Sequence, residues 1–88
     1  MTNPVSLAGN ATNITSTTTL YTGAGSIHNI FVSSVSGSPT IKISDGATTL
    51  VNTFTPVAAT NYTFNFRFAT SLVITVGATL DCCVGWGT

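Results

Sequence analysis

Apart from the many hydroxyls, the side chains able to do acid–base, nucleophilic or metal chemistry are few enough to name one by one. They are His28, Lys42, Asp45, Arg67, Asp81 and the adjacent pair Cys82 and Cys83; the chain contains no Glu. General acid–base work would fall to His28 and the two aspartates. A nucleophile needs a base and an orienting third group within hydrogen-bond reach. His28 with Asp81 and one of the serines or a cysteine is combinatorially possible, but no spacing supports it. Asp45 is already accounted for by the Asp45-Gly46 turn signal. Zinc would need soft or imidazole donors beyond two neighbouring cysteines and a single histidine. A disulfide between neighbours closes a strained ring and constrains almost no chain, so Cys82 and Cys83 read as small apolar residues. Gly23-Ala-Gly25 is too short for a phosphate loop, and no helix follows it. The expectation is no enzyme, with no catalytic, cofactor-binding or metal site.

Composition points from chemistry to assembly. Charged residues are 5% of the 88, against about a quarter in an ordinary domain. Two basic residues cannot track a phosphate backbone, which excludes nucleic acid as a partner. No apolar run approaches the ~18–20 residues of a membrane helix, and the start, MTNPV, has no basic, apolar leader pattern. Hydroxyl and amide replace charge: 34 residues are Thr, Ser or Asn. The sequons at Asn10, Asn13 and Asn61 read as accidents of that composition. Free thiols suit synthesis in a reducing cytoplasm. A domain this small buries only roughly 60–65% of its unfolded surface, so oligomerisation or attachment to a larger partner is the expected support. A neutral surface does little to keep copies apart.

The elements that must position these residues read as strands. Residues 1–13 form a polar arm, and residues 14–88 the domain. Strands are expected at 14–21, 26–34, 40–44, 48–54, 61–68, 72–76 and 79–86. They are separated by Gly23-Ala-Gly25, Ser36-Gly37-Ser38-Pro39, the Asp45-Gly46 hairpin of type I′, the Pro56 loop and Gly77-Ala78. About seven strands at this spacing predict an all-β fold, a single small antiparallel β-sandwich or jelly-roll-like barrel. Parallel crossovers have no room.

Period-two alternation puts Tyr62, Phe64, Phe66 and Phe68 on one face of a single strand. That face is expected to be core; the other reading is a subunit platform or a sugar-stacking surface with Tyr62 at its rim. Arg67 points the other way, toward Asp81, Asp45 or a neighbour's carboxylate. Alternation also places Ile27 and Phe31 on one side of their strand and Ile30 and Val32 on the other, and Leu72, Ile74 and Val76 opposite Val73. Apolar residues on a second face predict contact with another subunit through Ile27, Phe31 and Trp86. The arm, with Asn3, Pro4, Val5 and Leu7, is expected to reach an adjacent protein.

The layout over residues 17–87 resembles small tailed-bacteriophage virion proteins of the capsid decoration, or cement, type. The resemblance rests on a first strand ending at Tyr21, the hairpin Pro39-Thr-Ile-Lys-Ile-Ser-Asp-Gly46, the aromatic strand, the segment Phe68-Ala-Thr-Ser-Leu-Val-Ile-Thr-Val-Gly77, and a last strand ending near Trp86. It implies a capsid-surface protein, made in the host cytoplasm, that binds the major capsid protein as a homo-oligomer, typically a trimer, and stabilises the shell. It supplies no catalytic residues. A reading from another class is a carbohydrate-binding β-sandwich on a fibre or capsid surface, with Tyr62 or Trp86 as the exposed aromatic.

Overall fold

The computed structural model describes residues 9–88, so the interface expected at Asn3, Pro4, Val5 and Leu7 lies outside the described residues. The described chain is all-β, with six strands: β1 (Asn10–Ile14), β2 (Thr18–Thr22), β3 (Gly25–Asp45), β4 (Thr48–Phe54), β5 (Thr60–Phe68) and β6 (Ser71–Gly87). All pairings are antiparallel.

The two long strands make the architecture. β3 and β6 pair along almost their whole length, from Ser26 opposite Gly87 to Asp45 opposite Leu72. Both bend midway, where Ser36 faces Thr79 and Thr40 faces Gly77. One half of the pair is flanked by β1 on β6 and β5 on β3; the other half is flanked by β2 on β6 and β4 on β3. The sheet thus folds onto itself as a β-sandwich with order β1-β6-β3-β5 in one layer and β2-β6-β3-β4 in the other. The layers meet through Tyr21 against Trp86 (5.2 Å between ring centroids), Tyr21 against Phe68 (6.4 Å) and Phe54 against Tyr62 (5.3 Å).

Two expected turns are therefore bends inside continuous strands. Gly37 (φ 73°) and Ala78 (φ 67°) supply the left-handed backbone there, and buried Pro39 sits where the ladder is already interrupted, the position in a sheet that tolerates a missing N–H. The chain punctuates correctly at these points but does not reverse. In the opposite sense, the expected strand 14–21 is two strands, and the expected arm ends in β1, whose Asn10–Ile14 pair with Trp86–Cys82. The Asp45-Gly46 hairpin forms with a one-residue shift. Asp45 pairs Thr48, the loop is Gly46-Ala47, and only Gly46 has positive φ (56°), the pattern of a type II′ turn and not of the expected I′.

Bulges decide which faces are apolar. Opposite β6, β3 carries one extra residue at His28 and another at Ser33. Two consecutive residues, His28 and Asn29, occupy the place of one, so Ile27 lies on the same inner face as Ile30 and Val32, and all three are 0% exposed. The expected sharing of a side by Ile27 and Phe31 is corrected: Ile27 is core and Phe31 is 41% exposed on the outer face. Along β6 the even residues Leu72, Ile74, Leu80, Cys82, Val84 and Trp86 are all buried, the signature of one inward face carried through the bend.

Candidate interaction surface

The aromatic strand β5 is an edge strand, which explains why its four rings differ. Phe68 is fully buried, Tyr62 and Phe64 are half-buried against the core, and Phe66 is 42% exposed. Phe54 of the opposite layer covers Tyr62, and Tyr21 meets Phe68. Phe66 falls between these covers, with Phe64 as its aromatic neighbour at 5.9 Å. The core expectation is corrected for Phe66. Tyr62 is no free platform either, because its hydroxyl accepts a hydrogen bond from the Val57 amide at 2.9 Å. Trp86, expected at an interface or under a sugar, is 9% exposed and donates from Nε1 toward Thr12 Oγ1 at 3.4 Å.

The potential chemical groups are dispersed. His28 lies at the bulge beside Gly9 and Gly87. Asp81 pairs with Ser34, about 13 Å of strand from the Gly85 level at which Asn29 sits. No His28–Asp81 pair forms. Burial, and secondarily Asp81 and Cys83, push the Cys82 thiol up to about 11, while Cys83 is half-buried on the other face. No group of three or more His, Cys, Asp or Glu able to hold a metal occurs among the described residues.

Asp45 has a structural task. The amides of Ala69 and Thr70 donate to its carboxylate at 2.8 Å each, and that of Ser71 at 3.2 Å. It thereby ties the end of β3 to the short connection by which the chain leaves β5 for β6. Those amide bonds hold its pKa below the ordinary 3.8. A depressed carboxyl contributes stability that is present above the unfolded value and is lost as pH falls through the folded one. Asp45→Asn is therefore expected to be less stable than the parent at neutral pH, and the gap should narrow as pH drops below 3.8. Urea midpoints of both proteins across that range check it. A gap that ignores pH would show that the carboxylate charge is not what the amides hold.

Two surfaces remain that the interior does not use. The first is the outer face of the β1-β6-β3-β5 layer. Register places Asn13, Cys83, Phe31 and Asn61 in one row across four strands and Ala11, Gly85, Asn29 and Thr63 in the next. None of the eight is charged. Asn29 Nδ2 donates to Asn61 Oδ1 at 2.9 Å, so the amides lie along the face. A Cβ on Gly85 would collide with Asn29 Oδ1, so glycine here is what lets that side chain lie flat. Phe31 is the one large apolar residue on the patch. Sequence reading placed Phe31 on the surface but missed the asparagine pair, which depends on register across strands remote in sequence.

The second surface is a groove of about 550 Å³ at the end of the same layer, where β5, the start of β3 and the end of β6 lie side by side, lined by Ala24, Gly25, Ser26, Asn65, Phe66, Arg67 and Thr88. The chain matches no family model, no curated protein and no solved structure.

Proposed function

We propose that the chain is a structural virion protein, a capsid decoration protein that binds the major capsid protein as a homo-oligomer, a trimer, and stabilises the shell. The observation that carries this reading is the uncharged outer face around Phe31 and the Asn29–Asn61 pair. Such a face offers amide hydrogen bonding and one aromatic anchor with no ionic groups to desolvate, which suits contact spread over a protein surface. The near absence of charge throughout the chain supports it: a surface destined to be covered does not need the repulsion that keeps free proteins apart. The resemblance of the layout to small phage virion proteins supports the choice of partner.

The experiment is co-sedimentation of the purified chain with shells of the corresponding major capsid protein, with Phe31→Asp as the comparison. The parent should sediment with shells and Cys83 should become protected from alkylation on binding, because it stands beside Phe31. Phe31→Asp, a change at an exposed position, should remain folded and lose binding by about tenfold or more, as expected for an interface anchor. A parent that stays in the supernatant, or a Phe31→Asp protein that binds unchanged, would overturn the proposal.

A further inference from the structure

We propose that the side of the sandwich formed by β4, β5 and their connection is the surface through which copies of this chain associate. It is the contact behind the homo-oligomer proposed above, and it rests on that part of the capsid reading. β5 and β4 both pair with β3, along the edge that β6 does not take, so they border one side of the sandwich, one in each layer. β1 and β2, both on β6, border the other side. The two sides are closed to different degrees. On the β1–β2 side Ile14 is buried, and the Thr17 hydroxyl accepts from the Val76 amide at 2.9 Å and donates to its carbonyl at 3.3 Å. On the β4–β5 side Val57 is 63% and Phe66 42% exposed, the highest values among the large apolar residues described.

Neither exposure is that of a loose tip. Phe66 pairs with fully buried Ile27, so its ring shares the inner face and is left uncovered only because the edge is open. Val57 follows buried Pro56, and its amide donates to the Tyr62 hydroxyl at 2.9 Å. Tyr62 and Phe64 lie between them along the chain, half-buried against the core together with Phe54. The result is an apolar strip roughly 20 Å long, the rise of the strand from Thr60 to Phe66. Exposed apolar surface of this kind marks an interaction site.

Two observations argue for a second copy as the occupant. The pairings of β4 and β5 with β3 shift register, twice and once, with the extra residue each time on the edge strand. Bulges guard an edge against an added strand, so an extended peptide would find no regular ladder and the occupant is a folded surface met through side chains. Residues 48–68 also carry a single charge, Arg67, and alternation turns it to the outer face, away from Phe66. A charged partner would find no complement here, whereas this chain is itself only 5% charged and small enough to need support from association. Because the side presents two different strands, β5 of one copy against β4 of the next is a head-to-tail contact, which closes as a ring when the rotation allows; three copies make the trimer. The outer face around Phe31 stays free in that ring.

The test is the light-scattering mass of the parent, Phe66→Asp, Val57→Asp and Phe31→Asp over a series of concentrations, with circular dichroism to check each fold. The parent should have three times the 9.0 kDa of one chain. Phe66→Asp and Val57→Asp alter positions exposed in the single chain, so each should fold and weaken association about thirtyfold or more, the effect of losing an interface anchor. Phe31→Asp should keep the parent's mass. A second measurement needs no variant: in a mixture of isotope-labelled and unlabelled parent, Phe66 and Val57 should show nuclear Overhauser contacts between copies. A single-chain parent at every concentration, a mass that survives both seam aspartates, or contacts between copies that bypass residues 48–68 would overturn the proposal. A single-chain parent whose residues 48–68 become protected only when shells are added would also overturn it, and would assign this side to the shell protein. The capsid reading fails separately: copies that associate but ignore shells sink that reading and leave this one, and shells bound by a single-chain parent do the reverse.

Discussion

Phe68→Ala is expected to cost about 3–5 kcal/mol, the range for removing a buried phenylalanine from a core. Phe66→Ala, two residues away on the same strand, should cost less than about 1 kcal/mol, as exposed positions do. Phe68 is fully buried and touches Tyr21 of the opposite layer. It also lies against Gly25, where a Cβ would meet its ring. Its ring therefore fills the place where β5, β3 and β2 converge. At ~0.05–0.15 kcal/mol per residue, a chain of this size has roughly 4–13 kcal/mol in all, so the substitution removes a large share. Thermal unfolding should move down by about 12–40 °C, taking ~4–8 °C per kcal/mol for a domain of this size. The single tryptophan, Trp86, is buried, so the red shift of its emission reports each transition. Equal costs at positions 66 and 68 would mean that both rings are core.

How far the sequence discloses this structure depends on the kind of feature. Strand-forming stretches and the hairpin after Asp45 are legible because β-branched runs and an Asp-Gly pair act locally. Direction at the bends is not. Gly37-Ser38-Pro39 and Gly77-Ala78 carry the residues of a reversing turn, yet each only deflects a strand, and the difference is made by β3 and β6 remaining paired on both sides. β1 is hidden for a related reason. Asn and Ala are poor strand formers, so Asn10–Ile14 is a strand only because β6 offers an edge to it.

The largest misreading follows from one residue. Nothing about His28 and Asn29 marks a bulge, with no glycine or proline between them. Strict alternation across them puts Ile27 outside with Phe31, whereas the extra residue turns Ile27 into core. Every inference about an apolar second face is reduced accordingly, from Ile27, Phe31 and Trp86 to Phe31 alone. The two surfaces left over are products of the same non-local register. The Asn29–Asn61 pair joins β3 to β5, and the groove joins the ends of β5, β3 and β6.

Trp86→Ala separates a structural role for this residue from a binding role more sharply than any surface change. An exposed tryptophan serving as a platform could be removed with little effect on stability and a large effect on binding. The observed Trp86 lies opposite Ile27, is 9% exposed and stacks on Tyr21 at 5.2 Å across the two layers. Its removal should therefore cost about 3–5 kcal/mol and leave Tyr21 without the ring it rests on. Trp86→Phe keeps an aromatic in the layer contact and loses only the indole volume and a long hydrogen bond of 3.4 Å to Thr12, so it should cost about 1–2 kcal/mol, the lower part of the range for shrinking a core side chain. Because both variants lose the fluorophore, the comparison is made by circular dichroism during urea unfolding. The parent, Trp86→Phe and Trp86→Ala should unfold in that order of decreasing midpoint, with shared slopes. A Trp86→Ala protein as stable as the parent would place the ring outside the core and reopen it as a contact residue. A large loss of stability in Trp86→Ala would tie Trp86 to the layer contact.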